Sequence, residues 1–494
     1  MMKNLPILIV LFPLVAAQLC MLVSKIHKNV GRWLVMTAVA GSLVMSVIQL
    51  IGVVKNGPVH YEFGNYSHII GIEFAIDTVN ACIIVMVCVI GLLTFLFSND
   101  FDPAHDKTVT GGANTVLALL ITGLLGMSST GDVFNLYVFL EITSLSGYCL
   151  ISLGGNRGVV AAYRYMLIGT IAATLYLLGV GVLYSQTGTL NMADMAQILN
   201  GGQYDRAMLI SMYCFIAAFG IKMALFPFHG WQPSAYTHSE TSSRPLIAGV
   251  MGKIPAYAMF RYLFCIYGAD FRYFNFFLVV LGVFSVCAML YGSIRAMGQT
   301  DMRKLLAYSS VAQMGYISLG FAIGTPLALA GAFLHMFGHA FMKGGLFFCV
   351  GAIRKRFGKF WLEDLGRIYK KMPLTCGLLV VAALSMIGIP PTVGFFSKWY
   401  LGVAATQQSH WVYLAVLVIS SLLNAVYFFR LIEKVFVQED RGSLRDATPD
   451  RKIEASAWVI IPVVVCFVAI LALGFCNVKI VNILLMTLKG VGVC

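Results

Sequence analysis

The chain has 494 residues, 59% of them hydrophobic and 11% charged, with a formal net charge of +13. A soluble chain carries about 25% charged residues. The mean hydropathy of +0.84 and repeated apolar runs of bilayer length exclude a water-soluble protein and leave an all-α polytopic membrane protein. The basic residues sit mainly in alternate loops, the positive-inside pattern, so no nucleic-acid partner is expected. A transmembrane β-barrel would show short alternating segments, and the chain does not.

The first three spans are read at 5–24, 33–54 and 74–97. The first is too long, and too poor in a small-residue cleavage site, to be a signal peptide, so it is read as a retained helix. The polar loop at 56–71 reads as a surface hairpin. Spans four to eight are read at 112–129, 132–153, 159–185, 206–229 and 243–265. Spans nine to thirteen follow at 273–296, 305–323, 326–351, 374–400 and 409–436. A charged loop at 438–454, a last span at 456–476 and a short apolar tail bring the total to about fourteen helices. Asp77 and Asp132 precede apolar runs and read as helix caps.

Loops after odd-numbered spans carry Lys25, Lys28 and Arg32, then Arg157 and Arg164, Arg295, Arg303 and Lys304, and the cluster from Arg354 to Lys371. Loops after even-numbered spans carry few basic residues, such as Lys55, Arg206 and Arg272. The first set is therefore cytoplasmic and both termini are extracytoplasmic in a multi-pass cell-membrane protein. The acidic loop at 100–106 runs against this pattern, but acidic residues count little in it.

Two spans are broken by proline: one at Pro227, the other at Pro390 and Pro391. They lie five spans apart, so the broken helices run in opposite directions, the sign of inverted-topology repeats around a transport site. The division is then residues 1–110 for helices 1–3, 111–265 for the first five-helix repeat, 266–436 for the second, and 437–494 for the charged loop and last helix.

Ionisable residues inside apolar spans are costly and mark functional sites. Glu141 lies in the middle of span five, and Lys222 in the broken span seven is its expected partner. Lys253 lies two turns inside span eight. His335, His339 and Lys343 recur at i, i+4 and i+8 and so share one helix face. Lys398 follows the second break. An opened Glu141–Lys222 pair lets Lys222 pass its proton on, and imidazole titrates near neutrality, which suits proton hopping through water chains. A static salt bridge that fixes helix packing would use the same two residues. His229, at the end of span seven, is either a gate on the cytoplasmic side or an interfacial residue. The 12 cysteines are scattered without a CxxC pair, and no nucleotide-binding or nucleophile motif stands in a credible context. No metal, cofactor, redox site or hydrolytic site of the chain's own is expected.

The segments FLEITSLSGY, FGIKMALFPFHGWQP, DMRKLLAYSSVAQMGYI, LHMFGHAFMKGGLFF and GIPPTVGFFSKWYL, in this order, resemble the successive signatures of the antiporter-like subunits. That family is shared by respiratory complex I, Mrp-type cation/proton antiporters and membrane-bound hydrogenases. The resemblance covers about residues 74–436. It implies fourteen helices with two inverted five-helix repeats, and proton translocation along Glu141, Lys222, Lys253, His339 and Lys398. His335 and Lys343 have less settled family roles. It also implies partners: other antiporter-like and small Mrp-type membrane subunits, or a hydrogenase or quinone-reductase arm that supplies the driving energy, with H⁺ and either Na⁺ or no second ion moved. Lysine at 398 is unlike the members with glutamate there. Length and motifs look most like the D-type subunit of Mrp antiporters or its hydrogenase counterpart. A pump module like the N-type subunit of quinone reductases (complex I) and a stand-alone solute transporter are the alternatives.

Overall fold

The structure, a computed structural model, describes residues 4–26, 28–66, 71–101, 107–201, 206–358, 360–438 and 454–489. The acidic stretch 102–106, Lys359 and the interior of the charged loop, 439–453, lie outside these residues.

The chain opens with α1 (Leu5–Ile26) and α2 (Lys28–Asn56), packed side by side. Strands β1 (Val59–Glu62) and β2 (Glu73–Ile76) then pair antiparallel, Val59 opposite Ile76, so a hairpin is present, but its second strand lies past residue 71 and takes up the expected start of span three. Next come α3 (Thr78–Ser98), α4 (Lys107–Ser129), α5 (Val133–Ser152), α6 (Asn156–Thr187), α7 (Met192–Gly201) and α8 (Arg206–Lys222). Asp77 and Asp132 cap α3 and α5, accepting from Asn80 N and Asn135 N. Such caps satisfy amide donors that the first helical turn leaves free.

A short 3₁₀ turn, Phe228–Trp231, leads from α8 to α9 (Gln232–His238). The next span is α10 (Arg244–Leu246), a π turn Ile247–Met251, α11 (Lys253–Phe260) and a second π segment, Arg261–Tyr267. Then follow α12 (Phe274–Met297), α13 (Met302–Ile323), α14 (Pro326–Phe357), α15 (Ile368–Lys371), α16 (Pro373–Ile387), α17 (Val393–Gln407), α18 (Trp411–Phe436), α19 (Ala457–Phe475) and α20 (Asn477–Lys489).

Among the described residues eleven uninterrupted helices are long and apolar enough to cross a membrane. The expected spans at 206–229, 243–265 and 374–400 are each interrupted. Two of the interruptions were expected from proline. The third, the pair of π segments around α11, was not, because a π turn shifts helical register without changing apolarity. The short α7 was also missed, and the tail after residue 476 forms α20, which buries Val481, Leu484 and Leu488.

The centre of the bundle is α13 and α14: 94% of the residues in each apolar window are buried, against 33% for the peripheral α18 and α19. The midline of the protein is therefore the helix that carries His335, His339 and Lys343. At the first break the Ile221 carbonyl accepts from Trp231 Nε1 at 2.8 Å as well as from Ala224 N at 3.1 Å. At the second, after Gly388, Lys398 Nζ donates to the carbonyls of Met386 and Ile387 at 3.1 and 2.9 Å. Carbonyls freed at membrane depth need such partners, since lipid offers none.

Candidate functional site

The site is built from the broken helices inward. Lys222 is the last residue of α8, so the break leaves its side chain facing α5. Lys222 Nζ donates to Ser144 Oγ at 2.7 Å, and Ser144 Oγ in turn donates to the Leu140 carbonyl at 2.6 Å. The expected direct contact between Lys222 and Glu141 is not made. Glu141 Oε1 is buried without a hydrogen-bond partner, within electrostatic reach of Lys222. Glu141, Ser144 and Tyr148 recur at i, i+3 and i+7 and share a face of α5. Tyr148 packs edge-on against Tyr165, which stacks on Trp231 at 3.8 Å between ring centres.

Beyond the break, α9 places Gln232 and Tyr236 in a 3.0 Å hydrogen bond and leaves Gln232 Oε1 buried without a partner. Lys253 follows at the start of α11, where Nζ donates to the Ala248 carbonyl of the π turn at 3.3 Å. It lies within electrostatic reach of His335, His339 and Lys343 on α14.

On α14 the two imidazoles lie near-parallel, 6.1 Å between ring centres. His335 is held at both nitrogens, Nδ1 by Ser397 Oγ and Nε2 by Gln313 Oε1, each at 2.8 Å. The Ser397 hydroxyl also faces the Gly394 carbonyl at 3.2 Å. It can donate there when the imidazole carries two protons, or to Nδ1 when the ring carries one on Nε2. His339 differs: both of its nitrogens are buried with no partner. Lys343 Nζ donates to the Leu306 carbonyl at 2.7 Å and to Ser309 Oγ. Lys398 lies over the Tyr316 ring at 4.7 Å, in addition to its two carbonyls. It also lines a mostly apolar groove of about 640 Å³ between α17 and α18.

These side chains are deeply buried: Lys222 is 3% exposed, Lys253 1%, His335 0%, His339 1%, Lys343 0% and Lys398 6%. Every lysine of this row is held by hydroxyl or carbonyl oxygens and none by a carboxylate. Neutral oxygens accept from an ammonium, yet losing a proton there breaks no ion pair and leaves no orphaned carboxylate. The arrangement can load and unload protons one at a time.

His229 stands apart from this row. It sits on the 3₁₀ turn between the rings of Phe226 and Tyr291, within electrostatic reach of Arg295. Sequence reasoning missed Ser144, Gln313, Ser309 and Ser397. A signal existed for three of them: Ser144 lies one turn from Glu141, and Ser309 and Gln313 form, with Tyr316, an i, i+4, i+7 polar stripe along α13.

Residues 130–424 match the family described as NADH:quinone oxidoreductase/Mrp antiporter, transmembrane. The chain is 42% identical over 490 residues to the N subunit of NADH-quinone oxidoreductase from Desulforudis audaxviator, covering 98% of each chain. It is 29% identical over 447 residues to the D subunit of a Na⁺/H⁺ antiporter from Alkalihalophilus pseudofirmus, covering 90% of each. Among solved structures it superposes on a chain of the Mrp complex of Dietzia sp. DQ12-45-1b with a TM-score of 0.88 at 24% identity, over 99% of this chain and 97% of that one. It superposes on a chain of Thermus thermophilus respiratory complex I with a TM-score of 0.85 at 22% identity, over 99% of each. These two superpositions speak to the fold.

Proposed function

Because the chain belongs to the NADH:quinone oxidoreductase/Mrp antiporter transmembrane family, we propose that it is a proton-translocating subunit of a multi-subunit membrane complex. Protons move along Glu141, Lys222, Lys253, His339 and Lys398, with His335 and Lys343 as side stations of the same row. One observation carries the reading: a row of buried lysines held by neutral oxygens, with the buried imidazoles of His335 and His339 among them and Glu141 as the nearby acid. Intramembrane charges of this kind are expensive to keep without a function.

Of the subclasses left open by the sequence, the quinone-reductase type draws more support. The quinone-reductase relative is 42% identical over nearly the whole chain, against 29% for the Na⁺/H⁺ antiporter relative. Driving energy then comes from redox chemistry in partner subunits, and His229 acts as a gate between the row and the Arg295 side. Residues 111–265 and 266–436 act as inverted repeats. Each contains one proline-broken helix at whose break a side chain donates to carbonyls of the last turn, Trp231 in the first and Lys398 in the second. Both termini face the extracytoplasmic side, following the loop charges.

The test is translocation by the assembled complex carrying Lys222→Ala or Glu141→Ala. Both variants are expected to assemble and to lose translocation. Full pumping by both removes the relay. Loss of assembly alone supports a scaffold instead.

A further inference from the structure

A second polar feature lies outside the row. The β1–β2 hairpin, α7 and the far end of the α11 span enclose a cavity of about 440 Å³, lined by His60, Asp77, Met192, Arg261 and Cys265 among others. Its charged residues come from three separate elements. Arg261 Nη1 donates to the Thr130 carbonyl at 3.3 Å and to Tyr257 Oη at 3.4 Å, while its Nε is buried without a partner. Asp77 is within electrostatic reach of the guanidinium. Tyr257 is 1% exposed and lies behind the cavity-lining Arg261, one turn back along the helix.

Lys253, Tyr257 and Arg261 recur at i, i+4 and i+8, so one helix face runs from the row to this cavity over about 12 Å. Two π segments bracket that face, at Ile247–Met251 and Arg261–Tyr267; such segments gather at functional positions. The cavity opens among the loops that follow even-numbered spans, the extracytoplasmic side by loop charge.

We propose that this cavity is a water-filled mouth through which the row exchanges protons with the extracytoplasmic side at Lys253, with the Tyr257–Arg261 pair as its gate. The inference rests on the reading of Lys253 as a proton carrier. In one passage the Lys253 ammonium gives up one proton through water to Tyr257 Oη. The phenol releases its own proton to cavity water, so it ends neutral and one proton has crossed. Arg261 keeps its charge throughout, fixes a lone pair of the phenol oxygen, and repels hydrated cations, as a pore-lining arginine does.

Cys265 is the natural reporter. In the full complex, with the other cysteines of this chain replaced, right-side-out vesicles are treated with a membrane-impermeant anionic methanethiosulfonate. Cys265 is expected to label from outside, and the adduct to lower translocation about tenfold; the small neutral methylthio adduct is expected to leave it near the unmodified rate. Tyr257→Phe, which keeps the ring and removes the hydroxyl, is expected to slow translocation without changing labelling. No labelling of Cys265, or full anionic labelling with undiminished translocation, overturns the proposal. Lys222→Ala separates the two readings: it stops translocation if the relay holds and leaves Cys265 labelling unchanged in either case.

Discussion

Lys222 Nζ rests on Ser144 Oγ at 2.7 Å, one helical turn from Glu141, and not on the carboxylate itself. The serine hydroxyl points its own proton at the Leu140 carbonyl at 2.6 Å, so its oxygen is free to accept from the lysine. Ser144, not Glu141, is therefore the hydrogen-bond partner of Lys222, and in this arrangement Glu141 acts on Lys222 at a distance.

Ser144→Ala removes the hydrogen bond that holds the Lys222 ammonium. A buried donor left without a partner costs about 1–3 kcal/mol. Assembly is expected to survive, because alanine fits the helix, while translocation slows about tenfold, equivalent to about 1.4 kcal/mol in the barrier. Proton uptake by sealed vesicles, normalised to assembled complex, measures it. An unchanged rate would remove Ser144 from the path.

His335 and His339 are expected to respond differently to replacement. His335→Ala orphans the Gln313 carbonyl oxygen in a fully buried site and leaves Ser397 only the Gly394 carbonyl, at about 1–3 kcal/mol for the unsatisfied group. It should lower the thermal midpoint of the purified protein. His339→Leu orphans nothing, since neither ring nitrogen has a partner. That variant should keep its midpoint and lose translocation. Equal thermal losses in the two variants would contradict the distinction.

Much of this layout was legible in the chain. Proline cannot donate into a helix, so Pro227 and Pro390 announced both breaks. The i, i+4, i+8 spacing of His335, His339 and Lys343 announced their common face. Asp77 and Asp132 were legible as caps because a short acceptor ahead of an apolar run has few other uses. The Lys222 contact was not legible at residue level. Sequence pairs an acid with a base by charge, whereas the direction of a side chain leaving a helix end decides which oxygen it reaches. The π segments around α11 and the short α7 left no mark, since neither changes the spacing of apolar residues over a long window.

Lys398 has a structural duty beside its place in the row. Its ammonium holds the Met386 and Ile387 carbonyls at the end of α16, and hydrogen bonds to charged groups contribute about 1.5–3 kcal/mol each. Lys398→Met is expected to lower the thermal midpoint as well as abolish translocation. Lys398→Glu should be worse for stability, because an ionised carboxylate only accepts and so cannot bond the two carbonyls it faces unless it is protonated and donates. Thermal unfolding of the two purified variants checks the order; a Glu variant as stable as the wild type would sink it.

Outside the bundle, His60 offers a titration with a defined sign. Its Nδ1 is hydrogen-bonded to Glu73, whose other oxygen accepts from Asn191 Nδ2 at 2.7 Å. That hydrogen bond, aided by the carboxylate's charge and opposed by burial, raises the His60 pKa above the ordinary imidazole value. A raised folded-state pKa means that the protonated pair stabilises the hairpin fully below the unfolded value, about 6.5. That contribution is lost as pH rises through the folded value. With the imidazole side chain 59% exposed, the effect is local to the hairpin mouth. Diethyl pyrocarbonate modifies only neutral imidazole, and peptide mapping resolves His60 from the other histidines. The pH midpoint of His60 modification is expected above that of free histidine, and Glu73→Gln is expected to bring it back down. A midpoint that the Glu73→Gln variant leaves in place would show that the carboxylate does not hold the proton.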